Sequence, residues 1–130
     1  MAKRAPKKDR YIMLPNRCLA SENFASLSAI ANKLFLDFAA KCYKYNNGDL
    51  NMVWPEMQAR GWKSKGTLYA AKDELIHKGW IIQTRQGWNN RCALYGFTFM
   101  PIGDFGGKKL DIDEGTSETN DWKLWKPPEN

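Results

Sequence analysis

Histidine, paired cysteines and long apolar runs are all scarce in this chain, and each scarcity removes a class of function. His77 is the single histidine, so histidine-built metal sites and acid–base work shared among several histidines are excluded. The 3 cysteines, Cys18, Cys42 and Cys92, are odd in number and far apart. They lack Cys-x-x-Cys spacing, which argues against a disulfide framework or a zinc site and for a reducing compartment. No apolar run approaches the roughly 18 residues that suggest a membrane span. The basic N-terminus is not followed by a hydrophobic signal segment, so the expected location is the cytoplasm, with no membrane partner. There is no Gly-x-x-x-x-Gly-Lys-Ser/Thr phosphate loop, and spacing places no Ser-His-Asp or Cys-His set. The chain is therefore expected not to be an enzyme and to carry no cofactor and no metal.

What is present suits one packed domain with tails: 130 residues, 43% hydrophobic and 13% aromatic. The net charge of +6 is unevenly spread. Lys3, Arg4, Lys7, Lys8 and Arg10 against Asp9 give +4 over residues 1–10, and seven acids against four lysines give −3 from Asp104 onward. Residues 11–103 hold the remaining +5, a basic body that suits a polyanionic partner without requiring one.

Residues 1–10 form a Lys/Arg-rich arm without apolar periodicity, suited to following a phosphate backbone, entering a minor groove or simply solubilising the chain. Tyr11 to Leu14 read as an extended segment stopped by Pro15, and Leu19, Phe24 and Leu27 as anchors in a short helical turn. Ser28 is a good N-cap. Behind it Leu27, Ile30, Ala31, Leu34, Phe35, Phe38 and Cys42 fall on one face and predict a helix over 28 to about 44. Asn46-Asn47-Gly48-Asp49 is a turn signal, succeeded by a short strand over 50–52. Pro55 in a first turn and Gly61 as a left-handed terminator bound a helix over 54–60. Only Trp62 and Lys63 separate that terminator from Ser64, which caps a helix to about 78 closed by Gly79. A connection this short forces a sharp crossing. Leu68, Ala71, Leu75 and Ile76 form the buried stripe of the later helix, which leaves Lys65, Thr67, Tyr69, Ala70 and Asp73 outside.

Residues 80–84 and 92–99 are rich in strand formers and flank a Gly/Asn turn, the pattern of a hairpin. The order helix, tight turn, helix, hairpin predicts an α+β domain of winged helix-turn-helix plan, with about three main helices and a small antiparallel β-hairpin wing. It spans 11–103, between a basic flexible arm at 1–10 and an acidic flexible tail at 104–130. In that tail Trp122 and Trp125, beside Leu124, mark a segment that docks on this domain, on a second copy or on another protein.

The chemistry of such a plan is read at two places. The N-terminal end of the second helix of the pair is where side chains reach base edges and phosphates in the major groove, and its free amides suit phosphate oxygens. Lys63 and Lys65 supply charge there, and Ser64 and Thr67 supply hydroxyls. Tyr69 either stacks or touches a thymine methyl, or is a packed surface aromatic. Arg85 and Arg91 bracket the hairpin turn, where an arginine can enter a narrow minor groove. Asn89 lies between them, as does Trp88, which packs along the sugar-phosphate backbone or clamps its own hairpin. Asp73 and Glu74 lie on or near the same helix and oppose a polyanion, unless Glu74 pairs with a neighbouring basic residue.

The run Leu14-Pro15, Leu19, Ser21, Phe24, Leu27-Ser28, then Tyr45-Asn46-Asn47-Gly48, then Arg60-Gly61-Trp62-Lys63-Ser64-Lys65 with Thr67-Leu68, resembles the small winged-helix proteins of bacteriophages, prophages and plasmids. The likeness continues through Glu74-Leu75, Gly79-Trp80-Ile81, Thr84-Arg85-Gln86-Gly87 and Leu94-Tyr95-Gly96-Phe97-Thr98-Phe99, covering roughly 11–103. Its helix start and exit are also similar to bacterial winged-helix regulators, and the resemblance implies that Ser64, Lys65, Thr67 and Tyr69 face DNA. It leaves two readings. One is a double-stranded DNA-binding protein, sequence-specific or structure-tolerant, acting as transcriptional repressor or replication accessory factor, alone or as a homodimer. The other is a phage-encoded protein-interaction module that engages a host protein through the tail, for instance to inhibit a defence or nucleic-acid-processing complex.

Overall fold

A computed structural model describes residues 9–103, 110–112 and 117–128. Apart from Asp9 and Arg10, the basic arm expected at 1–10 lies outside the described residues. The elements run α1 (Asn16–Leu19), α2 (Glu22–Ala25), α3 (Ala29–Ala39), α4 (Trp54–Ala59), α5 (Lys65–His77), β1 (Ile81–Arg85) and β2 (Leu94–Phe97), with a 3-10 turn at Asp121–Lys123. The fold is mixed α+β, with five helices and a two-stranded antiparallel sheet among the described residues.

Local chemistry explains most of these boundaries. Ser21, Ser28 and Ser64 each cap a helix by accepting a backbone N–H, from Phe24, Ala31 and Thr67 respectively. Helix α3 stops at Ala39, short of the expected 44. Beyond it the Asn46 side chain takes up the Lys41 carbonyl at 2.7 Å and the Tyr43 amide at 2.7 Å, groups that a longer helix would have used. Helices α4 and α5 end alike. Gly61 (φ 98°) and Gly79 (φ 84°) turn left-handed, and the next amides, of Trp62 and Trp80, reach back to the carbonyls of Met57 and Leu75 at 3.1 and 2.9 Å. This is the Schellman arrangement, and the tryptophan that follows each glycine is buried.

The core lies between α3, α5 and the hairpin. Ala31, Leu34, Phe35 and Phe38 from α3, Leu68, Ala71 and Leu75 from α5, and Trp80, Ile81 and Phe97 are all buried. Ile76, expected in the α5 stripe, is 37% exposed at its edge. Phe24, Phe35 and Trp80 meet edge to face with centroids 5.1–5.8 Å apart, a preferred geometry for rings. In the sheet Ile81 opposes Phe97 and Gln83 opposes Tyr95. The register shifts between Gln83 and Arg85, leaving Thr84 as a bulge whose hydroxyl donates to the Gly48 carbonyl at 2.6 Å. The strand expected at 50–52 is a single bridge, Leu50 to Tyr95. Asn47 is wholly buried there and behaves as a strand partner. Its side chain accepts from the Phe97 amide at 2.7 Å and donates to the Phe97 carbonyl at 2.9 Å.

Of the stretch expected to be a flexible acidic tail, residues 110–112 and 117–128 are described, and both pieces pack on the body. Leu110 is buried with Leu94 and Ile102 on the sheet face away from α3, so β2 is covered on both sides. Trp122 is buried and stacks on Trp80, with centroids 5.3 Å apart and planes 6° from parallel. Asn23 holds the junction, donating to the carbonyls of Lys78 and Trp122, both at 2.8 Å, and accepting from the Trp80 indole at 2.8 Å. Apolar burial and a satisfied buried amide thus extend the packed body past 103.

Candidate nucleic-acid interface

The connection between α4 and α5, residues 60–64, is fixed from beneath by one carboxylate. Asp37 of α3 is buried; its Oδ2 accepts from the Trp62 indole at 2.6 Å, and its Oδ1 accepts from Arg60 Nε at 3.0 Å and Nη2 at 2.9 Å. Lys33 adds an ammonium 3.4 Å from Oδ2 and donates to the Arg60 carbonyl at 2.6 Å. Three side chains converge on this carboxylate, all in or against the turn that aims α5. Its burial is compensated, as a buried charge requires.

Beyond that turn, Lys63, Ser64, Lys65, Gly66, Thr67 and Tyr69 are all exposed. A Cβ added at Gly66 would meet only the Ser64 hydroxyl, 3.6 Å away, so the first turn of α5 lies open to an approaching molecule. The Ser64 oxygen is used as a cap at 3.3 Å from the Thr67 amide, which leaves its hydroxyl proton to donate. Lys65 Nζ stands 5.8 Å from the Trp54 ring, and Lys63 makes no hydrogen bond or ion pair among the described residues. Tyr69 is 50% exposed, with the Lys72 ammonium 5.8 Å from its ring. It is therefore a half-open aromatic beside a cation. Lys72 is itself paired with Asp73 at 2.9 Å, and that hydrogen bond holds its pKa above the usual lysine value.

Glu74 does not join this surface. Its Oε1 accepts from the Ser28 hydroxyl at 2.6 Å and its Oε2 from the Ser28 amide at 2.9 Å, with Lys78 Nζ 3.2 Å away. Partial burial opposes its ionisation, but the Ser28 and Lys78 contacts outweigh burial and lower its pKa. Of the two acids that counted against a polyanion partner, Glu74 is thus spent on tying α5 to the start of α3, whereas Asp73 stays exposed on α5 in its pair with Lys72.

The hairpin turn divides the other four residues. Trp88 and Arg91 form an isolated bridge, with Trp88 N to Arg91 O at 2.9 Å, and Asn89 and Asn90 make the tip. Trp88 is 65% exposed, so its indole does not clamp the hairpin. Asn89 is exposed. Arg91 is half-buried, and its Nε is buried without a hydrogen-bond partner among the described residues. Arg85 is committed to its own hairpin: its guanidinium donates to the Cys92 carbonyl from Nη2 at 2.8 Å and Nε at 3.3 Å, closing the hairpin base. Asp111 lies against that base, its amide donating to the Thr84 carbonyl at 2.7 Å and its carboxylate accepting from the Gln86 amide at 2.7 Å. Two sets therefore stand out, residues 63–69 on α5 and residues 88–91 at the tip. No hydrogen bond or ring contact joins them among the described residues.

Asp37, Asn47, Asn23 and Asp111 support these elements without a signal in their spacing. Among the described residues no group of three His, Cys, Asp or Glu side chains could hold a metal ion. None of their helices is long and apolar enough to cross a membrane. No family model, curated protein or solved structure matches the chain.

Proposed function

We propose that the chain is a winged helix-turn-helix protein that binds double-stranded DNA, with α5 as the recognition helix and the β1–β2 hairpin as the wing. The observation that carries this reading is the open first turn of α5. Lys63 and Lys65 flank the Ser64 cap there, beside an unobstructed Gly66 and an exposed Thr67. A helix start with free amides and uncommitted cations suits phosphate oxygens. The element order supports it, as does the Asp37 clamp that sets how α5 leaves the turn.

The groups available favour backbone contact over base reading. Lysines and hydroxyls make point contacts to phosphates, whereas the rigid fork of Arg and the amides of Asn and Gln are the better pre-organised groups for bidentate base recognition. Such groups occur instead at the hairpin, in Asn89 and Arg91. The protein thus holds duplex DNA chiefly through its backbone, as a repressor or a replication accessory factor of the phage and plasmid type. A gel-shift series with mixed-sequence duplexes tests this. Lys65→Glu, which places an acid at the helix start, abolishes the shifted band, whereas Lys126→Glu on the far end of the chain leaves it; equal shifts from both variants would remove α5 from the interface. The alternative, a module that engages a host protein through its tail, draws no support from Trp122, which is committed to the body.

A further inference from the structure

A second surface, sharing no residue with α5 or the hairpin turn, carries aromatic rings interleaved with cations. The segment leading into α1 and the loop after α3 border a groove of about 880 Å3, lined by Arg10, Tyr11, Met13, Tyr43, Lys44 and Tyr45 among others. That is within the range of roughly 300–1,000 Å3 in which ligand sites fall. Tyr11 is 76% exposed, Met13 75% and Tyr45 64%. Single exposed apolar groups are ordinary, but three large ones along one groove form a surface that water does not favour.

The charges around these rings are arranged as a nucleic-acid strand would need them. The Arg10 guanidinium lies 4.2 Å from the Tyr43 ring centroid, and Lys44 Nζ lies 5.4 Å from that of Tyr45. Tyr43 meets Tyr45 edge on at 6.5 Å and 80°, so the two rings brace each other. Glu118 is the one acid in the lining among the described residues, against these two cations.

We infer that this groove binds single-stranded nucleic acid, with unpaired bases stacking on Tyr45 and Tyr11 and phosphates held by Arg10 and Lys44. Stacking needs a free base face, which a duplex does not offer. Every base has such a face, so the site tolerates sequence, and the cations supply the salt-dependent part of the affinity. An aromatic groove can also take a proline-rich peptide. Two cations beside the exposed rings favour a polyanion over that neutral ligand.

Fluorescence anisotropy with a labelled oligothymidine of about 12 nucleotides, within the roughly 4–16 that one binding module covers, tests the site. The wild-type protein binds it at low salt. Tyr45→Ala weakens binding about fivefold or more, the equivalent of at least ~1 kcal/mol for one missing stack. Lys44→Ala weakens it too and flattens the log–log salt dependence by about 0.7. Both side chains are exposed, so circular dichroism should match the wild type, and Lys44→Ala keeps the test open if Tyr45→Ala does not fold. Lys63→Ala/Lys65→Ala leaves oligothymidine binding unchanged, which separates this groove from the duplex surface on α5. The inference is overturned if the wild type does not bind oligothymidine, or if both groove variants bind it as the parent does. It is equally overturned if the α5 variant is the one that loses binding, or if a proline-rich peptide binds the groove and oligothymidine does not.

Discussion

Asp37 accepts a 2.6 Å hydrogen bond from the Trp62 indole, joining the last turn of α3 to the turn that launches α5. The two residues are 25 positions apart and both are buried. Asp37→Ala orphans a buried indole N–H, a loss of about 1–3 kcal/mol. Urea unfolding should show a lower midpoint with an unchanged slope. A double-mutant cycle with Trp62→Phe should return a coupling of about 0.5–3 kcal/mol, the range for residues in direct contact. Strictly additive effects would mean that the bond contributes nothing to the turn.

The stack of Trp122 on Trp80 predicts that the chain end stabilises the body. Trp122→Ala should destabilise by about 3–5 kcal/mol, the loss typical of a buried large aromatic. Gly79→Ala should act on the same contact from the other side. Gly79 has φ +84°, and a Cβ there would fall 2.5 Å from the Asp121 carbonyl oxygen. A thermal melt within a degree of wild type for Trp122→Ala would show that the docked end adds no stability.

The legible part of this fold is the part with a local or periodic signature. The α5 stripe of Leu68, Ala71 and Leu75 repeats at helical spacing, and Gly61 and Gly79 each stand between a helix and a tryptophan. These positions can be read because the physics that fixes them acts within a turn or two of the chain. Asn47 and Asn23 cannot be read so. As polar residues in loop-like sequence they look solvated, and their partners, Phe97 and Trp122, lie 50 and 99 positions away. For the same reason the acidic composition around Trp122 suggests an undocked tail. At the candidate site the α5 residues are legible because the residues just after a helix cap point outward. Arg85 is not, because its use depends on where the Cys92 carbonyl falls across a bulged pair.

Glu74 gives a pH prediction whose sign can be worked out. Its pKa is lowered in the folded state below the ordinary 4.5 of glutamate, so its contribution is complete above that value. It is lost as pH falls through the lowered folded-state pKa. Comparing wild type with Glu74→Gln by urea unfolding across pH, the stability difference should be largest near neutrality and should shrink on acidification. A difference independent of pH would contradict the Ser28–Glu74–Lys78 account.

The cysteines should separate by reactivity. Burial pushes the Cys42 thiol up to about 12 and also raises that of Cys18, whereas the Cys92 side chain is exposed. The thiolate is the reactive form, so an aromatic disulfide reagent at mildly alkaline pH should modify one thiol in the native protein and all three only on unfolding. Native modification of Cys42 would place that thiol outside the core.

The central claim, that the first turn of α5 grips duplex DNA, is tested most directly by a salt titration of duplex affinity for wild type and Lys63→Ala/Lys65→Ala. The affinity of the wild type should fall linearly on log–log axes, and the double variant should bind more weakly with a slope flatter by about 1.8, or about 0.9 for each phosphate that is no longer neutralised. Equal affinity and equal slope in the two proteins would contradict the claim.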